Sequence, residues 1–188
     1  MLKLDQEFLE AVAAEQEPEY YYFRNKANTG GFDWNQYTDL LDKVHPDSIE
    51  IQNRKMKLGV TGLERRSLRP FVPSVISNGV DTLQELFPNN TITAHIFSGF
   101  TSNSQSFGIH CDAMHVLYIQ LYGSVNWSIW HENEPNEIPK IQPDEGTLIE
   151  SKTLNPGDVV FVRAKTFHFV EPLQSRIGLS LGVEGLKK

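Results

Sequence analysis

The 188-residue chain predicts a mainly β fold with flanking helices, a β-barrel or jelly roll with the helices packed on its outside. Three observations carry this. From Thr91 onward, short segments rich in β-branched and aromatic residues follow one another: "TITAHIF", "HVLYIQLYG", "VNWSIWH", "GTLIESKTL", "DVVFVRA", "FHFVE" and "RIGLSLGV". Turn signals such as "YGS", "ENEPNE", "NPGD" and "PLQS" separate them, at the roughly 8–12-residue spacing of sandwiches and barrels. Before that point the pattern is mixed helix and strand. The expected organisation is a single domain over 1–188, with 1–90 as a mixed flanking region and 91–188 as the β core.

In chain order, Asp5 caps a short helix reaching Ala14, with Phe8, Leu9 and Val12 on its apolar side, and Pro18 ends it. "EYYYFRN" is a strand by its aromatic content, and "NTGG" a turn. Asp33 and Gln36 form a capping-box pair ahead of a helix with Trp34, Tyr37, Leu41 and Val44 at helical spacing, stopped by Pro46. "SIEIQNRKMKLGV" alternates as a strand or hairpin. Pro73 opens a further helix with Ile76, Val80, Leu83 and Phe87 on one stripe, closed by "PNN".

Composition excludes several classes of function. The hydrophobic fraction of 39% supports a sizeable core, and no apolar run approaches the roughly 20 residues of a membrane span. The first residues are acidic and polar, unlike a signal or basic transit peptide. A formal net charge of -7 argues against nucleic-acid binding, whose positive footprint is limited here to "NRKMK" and "ERRSLR", short clusters of the kind that form a solvated face. Cys111 is the only cysteine, which excludes intramolecular disulfides and suits a reducing, cytoplasmic setting.

The stretch "FGIHCDAMHVLYIQL" places His110, Asp112 and His115 just before an apolar strand. In a strand, residues i and i+2 share a face, so His110 and Asp112 project together and could share one metal ion. His168, at the end of "LNPGDVVFVRAKTFH", is the candidate third ligand. Two His and one carboxylate on one face of an octahedral ion form the triad of non-heme Fe(II) oxygenases. The residues alone leave other readings open: His and Asp are common at strand ends, and a His between Phe167 and Phe169 can be a hydrogen-bonded core residue. His115 is out of step with His110 and Asp112 and is expected to point away. His45, His95 and His131 receive no role.

Residues 70–185 resemble the cupin-fold, JmjC-like 2-oxoglutarate and Fe(II)-dependent oxygenases, especially the bacterial ribosomal-oxygenase branch. The matching features are the H-x-D pair, a strand ending Q-x-x-G, and a Trp four positions on, here His110, Asp112, Gln120, Gly123 and Trp127. The block "LNPGDVVFVRAKTFHFVEP" matches the family's second motif. The resemblance implies a double-stranded β-helix, Fe(II) on His110, Asp112 and His168 as the catalytic centre, 2-oxoglutarate as cosubstrate, and hydroxylation of a protein, peptide or small-molecule substrate. From charge and hydropathy no nucleic-acid or membrane partner is expected, and the sequence does not identify the oligomeric state. Residues 1–90 would be the material for substrate recognition.

One position departs from the pattern. Family members carry Lys or Arg two positions before the Trp, to bind the distal carboxylate of 2-oxoglutarate, and here that position is Val125. Alternation in "RIGLSLGV" puts Arg176, Gly178, Ser180 and Gly182 on one face, a wall with room, a guanidinium fork and a hydroxyl, and Arg176 lies eight positions past His168. Tyr118 and Tyr122 are candidate donors to the same carboxylate, and Arg163 and Lys165 further candidate cations. The alternatives are that Arg176 is the polar start of an exposed strand and that the tyrosines fill the barrel. Two rival functions remain at this level, a metal-binding cupin enzyme that does not use 2-oxoglutarate and a non-catalytic cupin-like binding module.

Overall fold

A computed structural model describes residues 20–44, 49–52, 57–60, 72–104, 107–134 and 138–185. The helix expected at Asp5–Ala14 and most of the two basic clusters lie outside them. The described elements are β1 (Tyr20–Phe23), α1 (Trp34–Leu41), β2 (Ile49–Gln52), β3 (Lys57–Val60), α2 (Ser74–Leu86), β4 (Thr91–Gly99), β5 (Ile109–His110), β6 (His115–Tyr122), β7 (Val125–Glu132), β8 (Lys140–Ile141), β9 (Gly146–Leu154), β10 (Val159–Val162), β11 (Phe167–Pro172) and β12 (Arg176–Glu184). The seven strands expected after Thr91 are all present. The two-residue strands β5 and β8 were not expected, because two residues carry no periodicity.

The strands form two antiparallel sheets, one of seven strands in the order β1-β10-β6-β12-β4-β3-β2 and one of five in the order β8-β5-β11-β7-β9. This is the jelly-roll architecture expected from the strand spacing. The division at residue 91 is not a division of the sheet: β1 pairs with β10 and β3 with β4, so the first ninety residues supply three strands to the larger sheet.

The helices start where local chemistry sets them. The Asp33 side chain accepts hydrogen bonds from the Asn35 and Gln36 amides at the head of α1, satisfying donors that a helix start leaves unpaired. In α2 the residues Val75, Ile76, Gly79, Val80 and Leu83 are buried, the apolar stripe of an amphipathic helix. Both helices cover the outer face of the larger sheet, where Tyr37, Leu40, Ile76 and Leu83 pack with Ile92, Ala94, Ile96, Leu117, Ile119, Leu179 and Leu181. Between the sheets lies a second core of Val116, Tyr118, Val160 and Val162 against Val125, Trp127, Ile129 and Val170. Strand β6 is therefore apolar at nearly every position from Val116 to Leu121, because both of its faces are covered. No described helix is long and apolar enough to cross a membrane.

Candidate metal centre and its surroundings

The smaller sheet brings the two halves of the site together. His168 on β11 is the direct cross-strand partner of His110 on β5, and the rings lie 4.4 Å apart between centroids. Asp112 follows in the loop after β5, its oxygen Oδ2 3.6 Å from Nε2 of His168. That loop is tied down from both sides, as Cys111 N–H donates to Pro139 O at 3.0 Å and Lys165 N–H donates to Asp112 O at 2.8 Å. One ligand atom from each of His110, Asp112 and His168 lies within 4.8 Å of the others.

Backbone carbonyls set the protonation pattern of the imidazoles. Nδ1 of His110 lies 2.9 Å from Gly108 O, and Nδ1 of His168 lies 3.0 Å from Thr166 O, each the carbonyl two residues back. A carbonyl only accepts, so Nδ1 of each ring carries the proton and Nε2 keeps its lone pair. Such outer partners orient metal-binding imidazoles. Burial, and then the neighbouring His110, hold the His168 pKa below its ordinary value, against weaker opposing effects of Asp112 and the Thr166 carbonyl. A neutral His168 is the form that can donate to a metal, and its contact with Asp112 is accordingly not an ion pair.

Aromatic rings enclose this cluster. Trp127 stacks on His168 at 4.9 Å with 13° between planes, and Phe107 meets His110 edge-on at 5.3 Å. His168 is 3% exposed, whereas the Asp112 side chain is 37% exposed. A groove of about 480 Å³ opens beside Asp112, lined also by Cys111, Lys165 and Phe167. The ligand cluster thus has one sealed side and one open side.

The remaining candidates separate. His115 is no part of the cluster: its Nδ1 accepts from Ala164 N–H at 2.8 Å. Arg176 is not the polar start of an exposed strand, being 2% exposed with one guanidinium nitrogen 3.4 Å from the Tyr118 hydroxyl. Tyr118 is inside the barrel, 5.2 Å from Trp127 between ring centroids. Tyr122 is elsewhere, 37% exposed and edge-on to Trp34 of α1; a register shift at Ile177/Gly178 interrupts the pairing of β6 with β12 near its position. The glycines of β12 do not leave open room. A Cβ on Gly178 would collide with the Tyr118 ring, and one on Gly182 with Met114 Sδ. Ser180 is half-buried on β12, opposite Tyr118 and His95 in the flanking strands. Two contributors to the site carry no side-chain signal in the sequence, the Gly108 and Thr166 carbonyls. Gln120 and Trp127 were visible as motif letters, but their roles required the packing.

The family model for the JmjC domain matches residues 78–187. A probable ribosomal oxygenase of Haemophilus influenzae is 30% identical over 80 residues, which is 39% of this chain and 20% of that protein. The ribosomal oxygenase YcfD of Escherichia coli in complex with cobalt and 2-oxoglutarate superposes with a TM-score of 0.64 at 11% identity, covering 99% of this chain and 54% of that one. The same protein with cobalt and succinic acid gives 0.61 at 11% identity, covering 100% and 53%. The chain thus spans about a fifth of the curated relative's length and about half of the solved chains.

Proposed function

The chain belongs to the family of JmjC-domain proteins, and from that premise we propose that it is a 2-oxoglutarate-dependent Fe(II) oxygenase that hydroxylates a protein or peptide. The observation that carries this reading is the convergence of two imidazoles and one carboxylate with both Nδ1 atoms committed to carbonyls. The donor set fits the metal. Two nitrogens and one oxygen, with no thiolate among the three, suit Fe(II) and leave positions open for other ligands.

His110, Asp112 and His168 would hold the ion. With 2-oxoglutarate bound and dioxygen as co-reactant, it would supply the chemistry that places one oxygen atom of dioxygen on a substrate C–H bond and the other in the succinate that forms, with carbon dioxide, from 2-oxoglutarate. The protein's own residues do the rest. The carbonyls of Gly108 and Thr166 hold each ring in the tautomer that leaves Nε2 free. Trp127 covers His168 and keeps water from that flank, while the groove beside Asp112 offers the approach for substrate. A protein substrate is supported by the ribosomal-oxygenase names of the relatives, and a net charge of -7 suits a basic partner.

The test is succinate formation by purified protein with Fe(II), ascorbate and 2-oxoglutarate. Slow turnover is expected without a prime substrate, and His110→Ala or His168→Ala should abolish it. Metal binding without any succinate would replace this reading with a cupin enzyme that does not use 2-oxoglutarate. Absence of metal binding would leave a non-catalytic module.

A further inference from the structure

Three side chains can hold one ion only if the segments that carry them keep their places, and Asp112 is the least secured of the three. His110 and His168 each have a carbonyl on Nδ1. Among the described residues no hydrogen bond reaches the Asp112 carboxylate, which stands 3.6 Å from Nε2 of His168. Asp112 also lies past the end of β5, where no strand ladder fixes it. The place of this ligand therefore depends on its backbone.

That backbone is fastened to the turn 163–166, between β10 and β11. Lys165 N–H donates to Asp112 O at 2.8 Å, and Ala164 N–H donates to Nδ1 of His115 at 2.8 Å. Thr166 N–H closes the turn on Arg163 O at 3.2 Å. The same turn carries Thr166 O, which accepts from Nδ1 of His168. One short turn thus bears on two of the three candidate ligands, through the main chain of Asp112 and through the ring of His168.

The turn is held in a conformation it would not choose by itself. Lys165 has a φ of 68°, the left-handed region in which a Cβ crowds the following carbonyl. Such a residue persists where its surroundings over-determine it. Here two consecutive amides, those of Ala164 and Lys165, are bound, so the two peptide planes leading into Lys165 are fixed. Only the bond from Ala164 ends on a side chain. His115 opens β6 and pairs with Val183 of β12, and its ring lies 5.8 Å from that of Phe161 on β10 between centroids. The imidazole is therefore anchored on the larger sheet, whereas His110 and His168 stand on the smaller one. It links the frame of one sheet to the turn that secures ligands on the other.

We propose that His115 is a positioning residue of the metal centre: its bond to Ala164 sets the turn 163–166, and that turn sets the Asp112 backbone and the orientation of His168. Groups one step removed from an ion change its affinity when they are lost. This role exists only if the triad binds a metal, as read above.

Titration calorimetry of the metal-free protein with Mn(II), beside thermal unfolding of the same samples, tests it. His115→Phe keeps a ring against Phe161 and offers no acceptor. His115→Ala removes ring and acceptor together. His115→Asn offers an amide oxygen near the place of Nδ1. The Phe and Ala variants should bind Mn(II) on the order of 10-fold more weakly, and His115→Asn should bind it as the parent does. Hydrogen exchange at the Lys165 amide should accelerate in the first two alone. Parental Mn(II) affinity in His115→Phe or His115→Ala overturns the inference at any unfolding temperature, because His115 would then serve stability alone. Equal weakening in all three variants overturns it too, since the acceptor would not be what matters, as does weakened Mn(II) binding with unchanged Lys165 exchange. If His115→Ala does not fold, the contrast between His115→Phe and His115→Asn decides. Each of these failures leaves Mn(II) binding and succinate formation by the parent in place. A parent that binds no Mn(II) removes the metal centre and the inference together.

Discussion

Three histidines show how surroundings decide what an imidazole does. His110 and His168 spend Nδ1 as a donor to a carbonyl and leave Nε2 with its lone pair. His115 does the reverse, accepting a backbone N–H from Ala164 at Nδ1. Burial, and then the Arg163 guanidinium, lower its pKa from the ordinary value. Protonation would put a hydrogen on the accepting atom and break the bond. With the folded pKa below that of the unfolded chain, the stability this bond contributes is complete above about pH 6.5 and is lost as pH falls through the depressed folded value. His115→Asn keeps an acceptor and removes the titration. The parent should therefore lose about 1 kcal/mol relative to this variant between pH 7.5 and pH 5, measured by urea unfolding at both values. A difference that does not change with pH would contradict the assignment.

At the scale of the element, β12 serves two chemistries through one alternation. Ile177, Leu179, Leu181 and Val183 face the helices and are buried there. The opposite face carries Arg176 and Gly178, and Gly178 is glycine because the Tyr118 ring lies directly on it. Tyr118 reaches its contact with Arg176 only over this missing side chain. Gly178→Ala should cost about 1–3 kcal/mol through overpacking and should also displace the Tyr118 hydroxyl from Gln120. Thermal unfolding of the variant measures that cost. Ser180→Ala on the same strand, at a half-buried position, should leave stability within about 0.5 kcal/mol. Equal effects of the two substitutions would mean that the Tyr118 contact is not what requires glycine.

At the scale of the whole molecule, the turn 155–158 ties the early chain to the late strands. Asp158 accepts from Asn25 N–H at 2.8 Å with one oxygen and from Asn155 N–H at 2.9 Å with the other. Gly157 O takes the Ala27 amide, and Gln120 exchanges backbone bonds with this turn. Thus one buried carboxylate holds β1 to the edge of the larger sheet, next to the strand that carries Tyr118. Both oxygens face donors, so Asp158→Asn turns an NH₂ toward an N–H and should be nearly as damaging as Asp158→Ala, each losing about 2–3 kcal/mol. Amide exchange at Tyr20–Phe23 should accelerate more than exchange in β6. Full stability in Asp158→Asn would show that the carboxylate is not the fastener.

Much of this molecule follows from local pattern. Strand spacing after Thr91 marks a β sandwich, and Asp33 and Pro73 mark where helices begin, because dihedral preferences and hydrophobic alternation act over a few residues. The pairing of His110 and Asp112 with His168 was legible in the same way, as one short motif and one distant His. What pattern could not decide was side-chain direction past an irregularity. Tyr118 and Tyr122 are two pairs apart on one strand, yet one lies beside Trp127 and the other against Trp34. The glycines of β12 suggested an open wall, and the structure fills the space above them from neighbouring strands. The candidate ligands stood out as a short motif and a distant His, although Asp112 lies in the loop after β5, so backbone bonds from that loop and not a strand's period place it. The environment of Arg176, a cation enclosed by groups from β6 and the turn before β7 with no anion of its own among the described residues, exists only after those strands have come together in the tertiary fold.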